Sequence, residues 1–161
     1  MVVISLYRKK KKDGKIRIIS CEISVCPICG SILIVIGTRS RMIIGSGGTP
    51  MTIIIRRLRC EECGKIHHEL PDCVVPYKRH CAETIEKIIS GEAGEVITED
   101  STLRRIRNWW SSCLLYFASI LATLEAKYGA VFEKSAPREI IRAIVNSNFW
   151  IHTRSAFTPG H

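Results

Sequence analysis

Apolar positions fall in short strand-like runs bounded by turn residues in the first half of the chain and recur at helical spacing in the second. Residues 2–7 and 16–19 read as strands on either side of the charged turn at Lys12-Asp13-Gly14. Ile32–Ile36 is a short apolar strand. Arg39–Ile44 and Met51–Arg59 are two more, joined by Gly45-Ser-Gly-Gly-Thr-Pro50, a strong turn signal. Lys65–Pro76 reads as an extended connector, because the residues before Pro71 and Pro76 are biased away from helix.

The period then changes. Tyr77, Cys81, Ile85, Ile88 and Ile89 recur at helical spacing, and Gly91 ends that segment. Glu92–Asp100 is an acidic loop with a short strand or turn at Val96–Ile97. Ser101 is a suitable N-cap for the next helix, and Glu99 and Asp100 complement its positive end. In that helix Leu103, Ile106, Trp110, Cys113, Phe117, Ile120 and Leu124 form one apolar stripe as far as Tyr128, where Gly129 stops it. Ser111-Ser112 is a place where it can break in two. Pro137 opens a last helix that buries Ile140, Ile141, Ile144 and Val145. Phe149-Trp150-Ile151 is expected to dock back onto the fold.

Two cysteine pairs interrupt this pattern: Cys26-Pro-Ile-Cys29-Gly30 and Cys60-Glu-Glu-Cys63-Gly64. Two thiolates of one tight turn can meet one metal ion, and the glycine tolerates the positive φ that closes such a turn. Cys26, Cys29, Cys60 and Cys63 together suit one tetrahedral Zn²⁺ with no open position for water, hence a structural ion. A redox role for each pair needs a following helix, and the glycines suit a knuckle instead. His67, His68, Cys73, His80 and Cys81 leave a second metal site open, although their spacing matches no finger or ribbon.

Charge adds a second theme. The 161 residues carry a formal net charge of +9 in uneven blocks. Seven Lys or Arg face one Asp in residues 1–20, five Arg face one Glu in 21–60, and residues 81–100 are acidic. Such blocks favour a polyanion touched at two or three places. A helix that buries Leu103, Ile106 and Trp110 presents Thr102, Arg104, Arg105, Arg107 and Asn108 outward, side chains able to meet base edges and phosphates. Lys9, Lys10 and Lys11 of a basic N-terminal arm and Arg56, Arg57 and Arg59 of the ribbon are expected to grip the backbone. The plain alternative is an amphipathic helix with a solvated basic face.

Other classes find little support. The longest apolar run, Cys113–Leu124, is too short to span a bilayer. No signal peptide is read at Met1–Tyr7, so the cysteines are expected to be reduced and the protein cytoplasmic and nucleoid-associated. No nucleophile elbow and no phosphate-binding glycine loop with lysine is present, and no enzyme is expected. The expected fold is α+β: a β-rich zinc ribbon over residues 1–76, then a helical helix-turn-helix-like domain over 77–161.

The segment from Arg56 to Arg79, with the knuckle at Cys26–Gly30, the stretch Ser101–Trp110 and the tail Asn148–Phe157, resembles a bacterial family of small zinc-ribbon proteins with a helix-turn-helix, associated with insertion sequences and their transposases. The resemblance implies a double-stranded DNA-binding accessory or regulatory protein of a mobile element and no known reaction. It makes a transposase a further candidate partner and allows a homodimer. A rival reading is an adaptor that docks on a transposase or on its own copy.

Overall fold

The computed structural model describes residues 1–132 and 136–151. Six strands form one mixed, curled sheet: β1 (Val2–Ile4), β2 (Tyr7–Lys12), β3 (Lys15–Ser20), β4 (Leu33–Ile44), β5 (Pro50–Cys60) and β6 (Ile66–Pro71). Three helices follow: α1 (Ala82–Ser90), α2 (Asp100–Tyr128) and α3 (Pro137–Asn146). The tail beyond Ile151, including part of the stretch that carries the resemblance, lies outside the described residues.

Strand β5 is the hub. It pairs along its length with β4 on one side. On the other, its first half pairs with β3 in parallel and its second half with β6 in antiparallel register. The β4 register slips between Val35 and Gly37, so Ile36 is the extra residue of a bulge and the faces of β4 invert there. The two apolar segments of the sequence are therefore one twelve-residue strand.

Alternation along β5 sorts its side chains onto two faces. Ile53 and Ile55 enter the main core, where Ile85 and Ile88 of α1, Phe117 and Leu121 of α2, and Ile144 of α3 cover them. Leu58 and Cys60, on the opposite face, enter a small second core with Val2, Cys26 and Leu33. Trp150 is buried in the main core and stacks on Phe117, with ring centroids 5.9 Å apart, so the apolar tail does fold back. The outer edge of β1 is closed by Asn146, whose side-chain amide bonds both the N–H and the carbonyl of Val3 at 2.7 and 2.9 Å.

The expected architecture is thus corrected. No self-contained ribbon precedes a helix-turn-helix-like unit: strands from the first half and helices from the second share one core. The physical reason lies in Ile53 and Ile55, whose face would be bare without helical cover. The segment expected to be helical from Tyr77 begins only at Ala82, and Tyr77 stands exposed at φ +60. The connector contains a sixth strand. Ser111-Ser112 does not break α2, which runs on through them, with the Ser112 hydroxyl bonded back to the Trp109 carbonyl at 2.8 Å.

The basic run is no flexible arm either. Arg8–Lys12 is strand β2, paired residue by residue with β3. Asp13 (φ +51) and Gly14 (φ +70) make the two-residue turn between them, the geometry that suits the twist of a hairpin. A run of consecutive lysines has no apolar alternation, which is why its strand character is hidden.

Candidate metal centre

The knuckles meet because β4 begins and β5 ends at the same point of the sheet: Leu33 pairs with Cys60. The first knuckle precedes β4 and is closed by the Gly30 N–H on the Cys26 carbonyl, 2.8 Å, and the Cys26 N–H on the Ser31 carbonyl, 2.8 Å. The second is closed by the Cys60 N–H on the Lys65 carbonyl, 2.9 Å. Gly30 and Gly64 stand at φ +78 and +68. Another residue type would strain those turns.

The four ligand atoms of Cys26, Cys29, Cys60 and Cys63 lie within 4.8 Å of one another. The Cys26–Cys63 and Cys29–Cys60 sulfurs are 3.7 and 3.4 Å apart. A disulfide needs about 2 Å, so these are thiols. Four sulfurs converging on one point are a donor set for a single metal ion. Cys26 and Cys60 are buried and Cys29 is exposed. Hydrogen bonding with Ser31, first through its side chain (3.5 Å from the Cys29 sulfur) and then through its backbone, lowers the Cys29 thiol to about 6.

One neighbour was missed by spacing arguments. His67 is buried in β6 on the Leu58 face, with Nε2 3.5 Å from the Cys26 sulfur and Nδ1 3.2 Å from the Met1 amino group. Burial, then the amino charge, lowers its pKa, so the ring is neutral. In the tautomer whose Nδ1 accepts from the amino group, Nε2 carries the ring proton and faces the sulfur. Beside it, buried Glu69 is held by Arg56 at 2.6 Å and by the Ser24 hydroxyl at 2.6 Å. A histidine and an acid two residues apart in a strand share a face, the signal that could have found both.

The other histidines and cysteines do not assemble. His68 faces the opposite side of β6, near Arg39 and Arg57. Cys73 packs against the main core, His80 bridges to Ile44, and the Cys81 sulfur lies 3.3 Å from the Thr84 hydroxyl. Among the described residues, the four knuckle cysteines are the cluster able to hold a metal.

The cations occupy three places. Arg104, Arg105, Arg107 and Asn108 are exposed on the first turns of α2. Arg105 leans on the half-buried Thr102 hydroxyl at 3.4 Å, and Arg107 bonds the Ile88 carbonyl at 3.2 Å. Arg56 is committed to Glu69, while Arg57 and Arg59 share the opposite face of β5 and Arg59 is exposed. On the hairpin, Lys9 and Lys11 pair with Ile18 and Ile16 and share their side. The other side carries Arg8, Lys10, Lys12, Lys15 and Arg17, all exposed. Lys15 and Arg17 lie beyond the lysine run, and only the hairpin register brings them onto its face.

Residues 26–106, half of the chain, match the family described as Domain of unknown function (DUF6431). No curated protein and no solved structure matches the chain.

Proposed function

The chain belongs to the DUF6431 domain family, and we propose that it is a zinc-stabilised double-stranded DNA-binding protein whose main contact is the outward face of the β2–β3 hairpin. The observation that carries this reading is the register of that hairpin. It sets five exposed cations, Arg8, Lys10, Lys12, Lys15 and Arg17, on one side of a two-stranded ribbon. The lone carboxylate of the ribbon, Asp13, sits in the turn. A two-stranded ribbon fits the major groove, and closely spaced cations release counterions from phosphates. The exposed arginines of α2 supply a second basic face.

Zinc is the ion the donors favour. With Zn–S near 2.3 Å, the sulfurs of a tetrahedron are about 3.8 Å apart, close to the 3.4 and 3.7 Å separations of the thiols. Cys26, Cys29, Cys60 and Cys63 would hold it, and four thiolates leave no place for substrate. Bound there, the ion would tie the start of β4 to the end of β5. His67 Nε2, 3.5 Å from the Cys26 sulfur, is placed to donate to a Cys26 ligand. An accessory role in a mobile element rests on the resemblance of residues 56–79 and the knuckles.

Titration of a random-sequence duplex over a salt series tests the reading. The double variant Lys10→Gln, Arg17→Gln should weaken binding and reduce the log–log salt slope by about 0.9 per lost contact. An unchanged affinity and slope would remove the hairpin from the interface.

A further inference from the structure

The sheet face that meets the helices is only half covered. Ile53 and Ile55 lie under α1–α3. Farther along the same face of β5 stand Arg57 and Arg59, with Ile34 and Ile66 as the cross-strand neighbours of Arg59 on β4 and β6. Ile34 is 40 % exposed and Ile66 52 %. Ile32, two residues before Ile34, is 64 % exposed, and its bridge partner Val25 is 51 % exposed. Arg39, exposed, follows Gly37 on this face after the bulge. Arg57 pairs with His68 of β6 on this face, and after burial the charges of Arg39 and Arg57 are the next causes that lower the His68 pKa. The face is therefore a step: helices on one half, and bare aliphatic side chains flanked by arginines on the other.

The complement of that bare half lies at the other end of the same molecule. Glu92 and Glu99 on the connection between α1 and α2, and Asp100 at the first position of α2, are exposed. In their midst Ile97 is 71 % exposed, and the loop seats against Gly48 in the β4–β5 turn. Turn and knuckles are separated by the length of β5, roughly 30 Å at strand rise. One chain cannot bring its acidic loop to its own bare face.

We infer that two copies of this chain pair about a two-fold axis, step against step. The acidic loop of each, with Ile97, then seats on the Ile32–Ile34–Ile66 face and the arginines of the other. A two-fold arrangement makes both contacts at once, as an isologous interface requires. It covers four exposed aliphatics per chain that a monomer leaves in water. The hairpin cations, on the opposite face of the sheet, stay free, so the inference does not depend on what that hairpin binds. The favoured occupant is a second copy rather than a foreign acidic helix because the chain itself carries the matching loop.

The test is sedimentation of nuclease-treated, metal-loaded protein at high-micromolar concentration, with two charge-reversed variants. Arg57→Glu with Arg59→Glu replaces the two central cations of the bare face with carboxylates. Glu99→Lys with Asp100→Lys makes the loop basic. Wild type is expected to be dimeric, each variant alone monomeric, and an equimolar mixture of the two dimeric again, since every contact in the mixed pair regains opposite charges. Arg59, Glu99 and Asp100 are exposed and Arg57 is half-buried, and an unchanged metal content and circular dichroism spectrum shows that each variant folds. A monomeric wild type overturns the inference and leaves a foreign acidic partner as the occupant. A dimer that survives either variant, or a mixture that stays monomeric, overturns this interface. A ladder of higher oligomers overturns the two-fold arrangement.

Discussion

Two cores sit on opposite faces of β5 and are held together by different physics. The main core is large and apolar: Ile53, Ile55, Leu70, Ile85, Phe117 and Ile144 are almost wholly buried, and Trp110, Phe117 and Trp150 form an aromatic cluster. The knuckle core has five buried members, two of them cysteines. So few side chains cannot offset the chain entropy of the two loops they order. Packing suffices at one end of the sheet; at the other, four cysteines converge as a donor set that could supply the missing stability by holding a metal.

The largest expected effect is at the knuckle end. Cys60→Ser, or a strong chelator, should release the metal completely and loosen residues 24–33 and 60–66, while the aromatic cluster of the main core persists. Elemental analysis combined with amide hydrogen exchange reads both parts. If the main core melted together with the knuckles, the two regions would be one cooperative unit and the contrast would fall.

Phe117→Ala acts on the other side. Phe117 is 2 % exposed between Trp110 and Trp150, so its truncation should cost about 3–5 kcal/mol of global stability. One metal per chain should still be retained below the melting transition. Urea titration with a metal assay would show whether the knuckles depend on the helical cover.

His67→Ala should be the mildest. Removing the N–H that points at Cys26 leaves all four sulfurs in place. The expected loss is about 10–100-fold in metal affinity, seen by competition with a chromophoric chelator, with little change in the melting of the main core. A wild-type affinity in this variant would make His67 a packing residue only.

Cysteine spacing alone makes the metal cluster legible, because a Cys-x-x-Cys-Gly turn is local and its geometry depends on few neighbours. The helical stripe from Leu103 to Leu124 and the proline-led last helix are legible for the same reason: periodicity within one element is a local property. Strand β2 is hidden, since Arg8–Lys12 shows no alternation and is a strand only because β3 pairs with it. Strand β6 is hidden by the prolines in and after it. The helix-turn-helix expectation failed where a local pattern was asked to predict packing: α1 and α2 look like a pair along the chain, yet both cover the sheet.

Ligand chemistry, helix periods and the sign of each charge block follow from residue types and spacings over a few positions. Which face of β5 meets the helices and which meets the metal could not be read that way. That depends on a one-residue bulge at Ile36, which inverts β4, and on pairings between segments tens of residues apart. The same long-range register gathers Lys15 and Arg17 beside the lysine run, turns Arg56 toward Glu69, and leaves Ile34 and Ile66 bare. Side-chain direction in a strand alternates with every residue, so a shift of one position exchanges buried for exposed. Only the assembled sheet determines that shift.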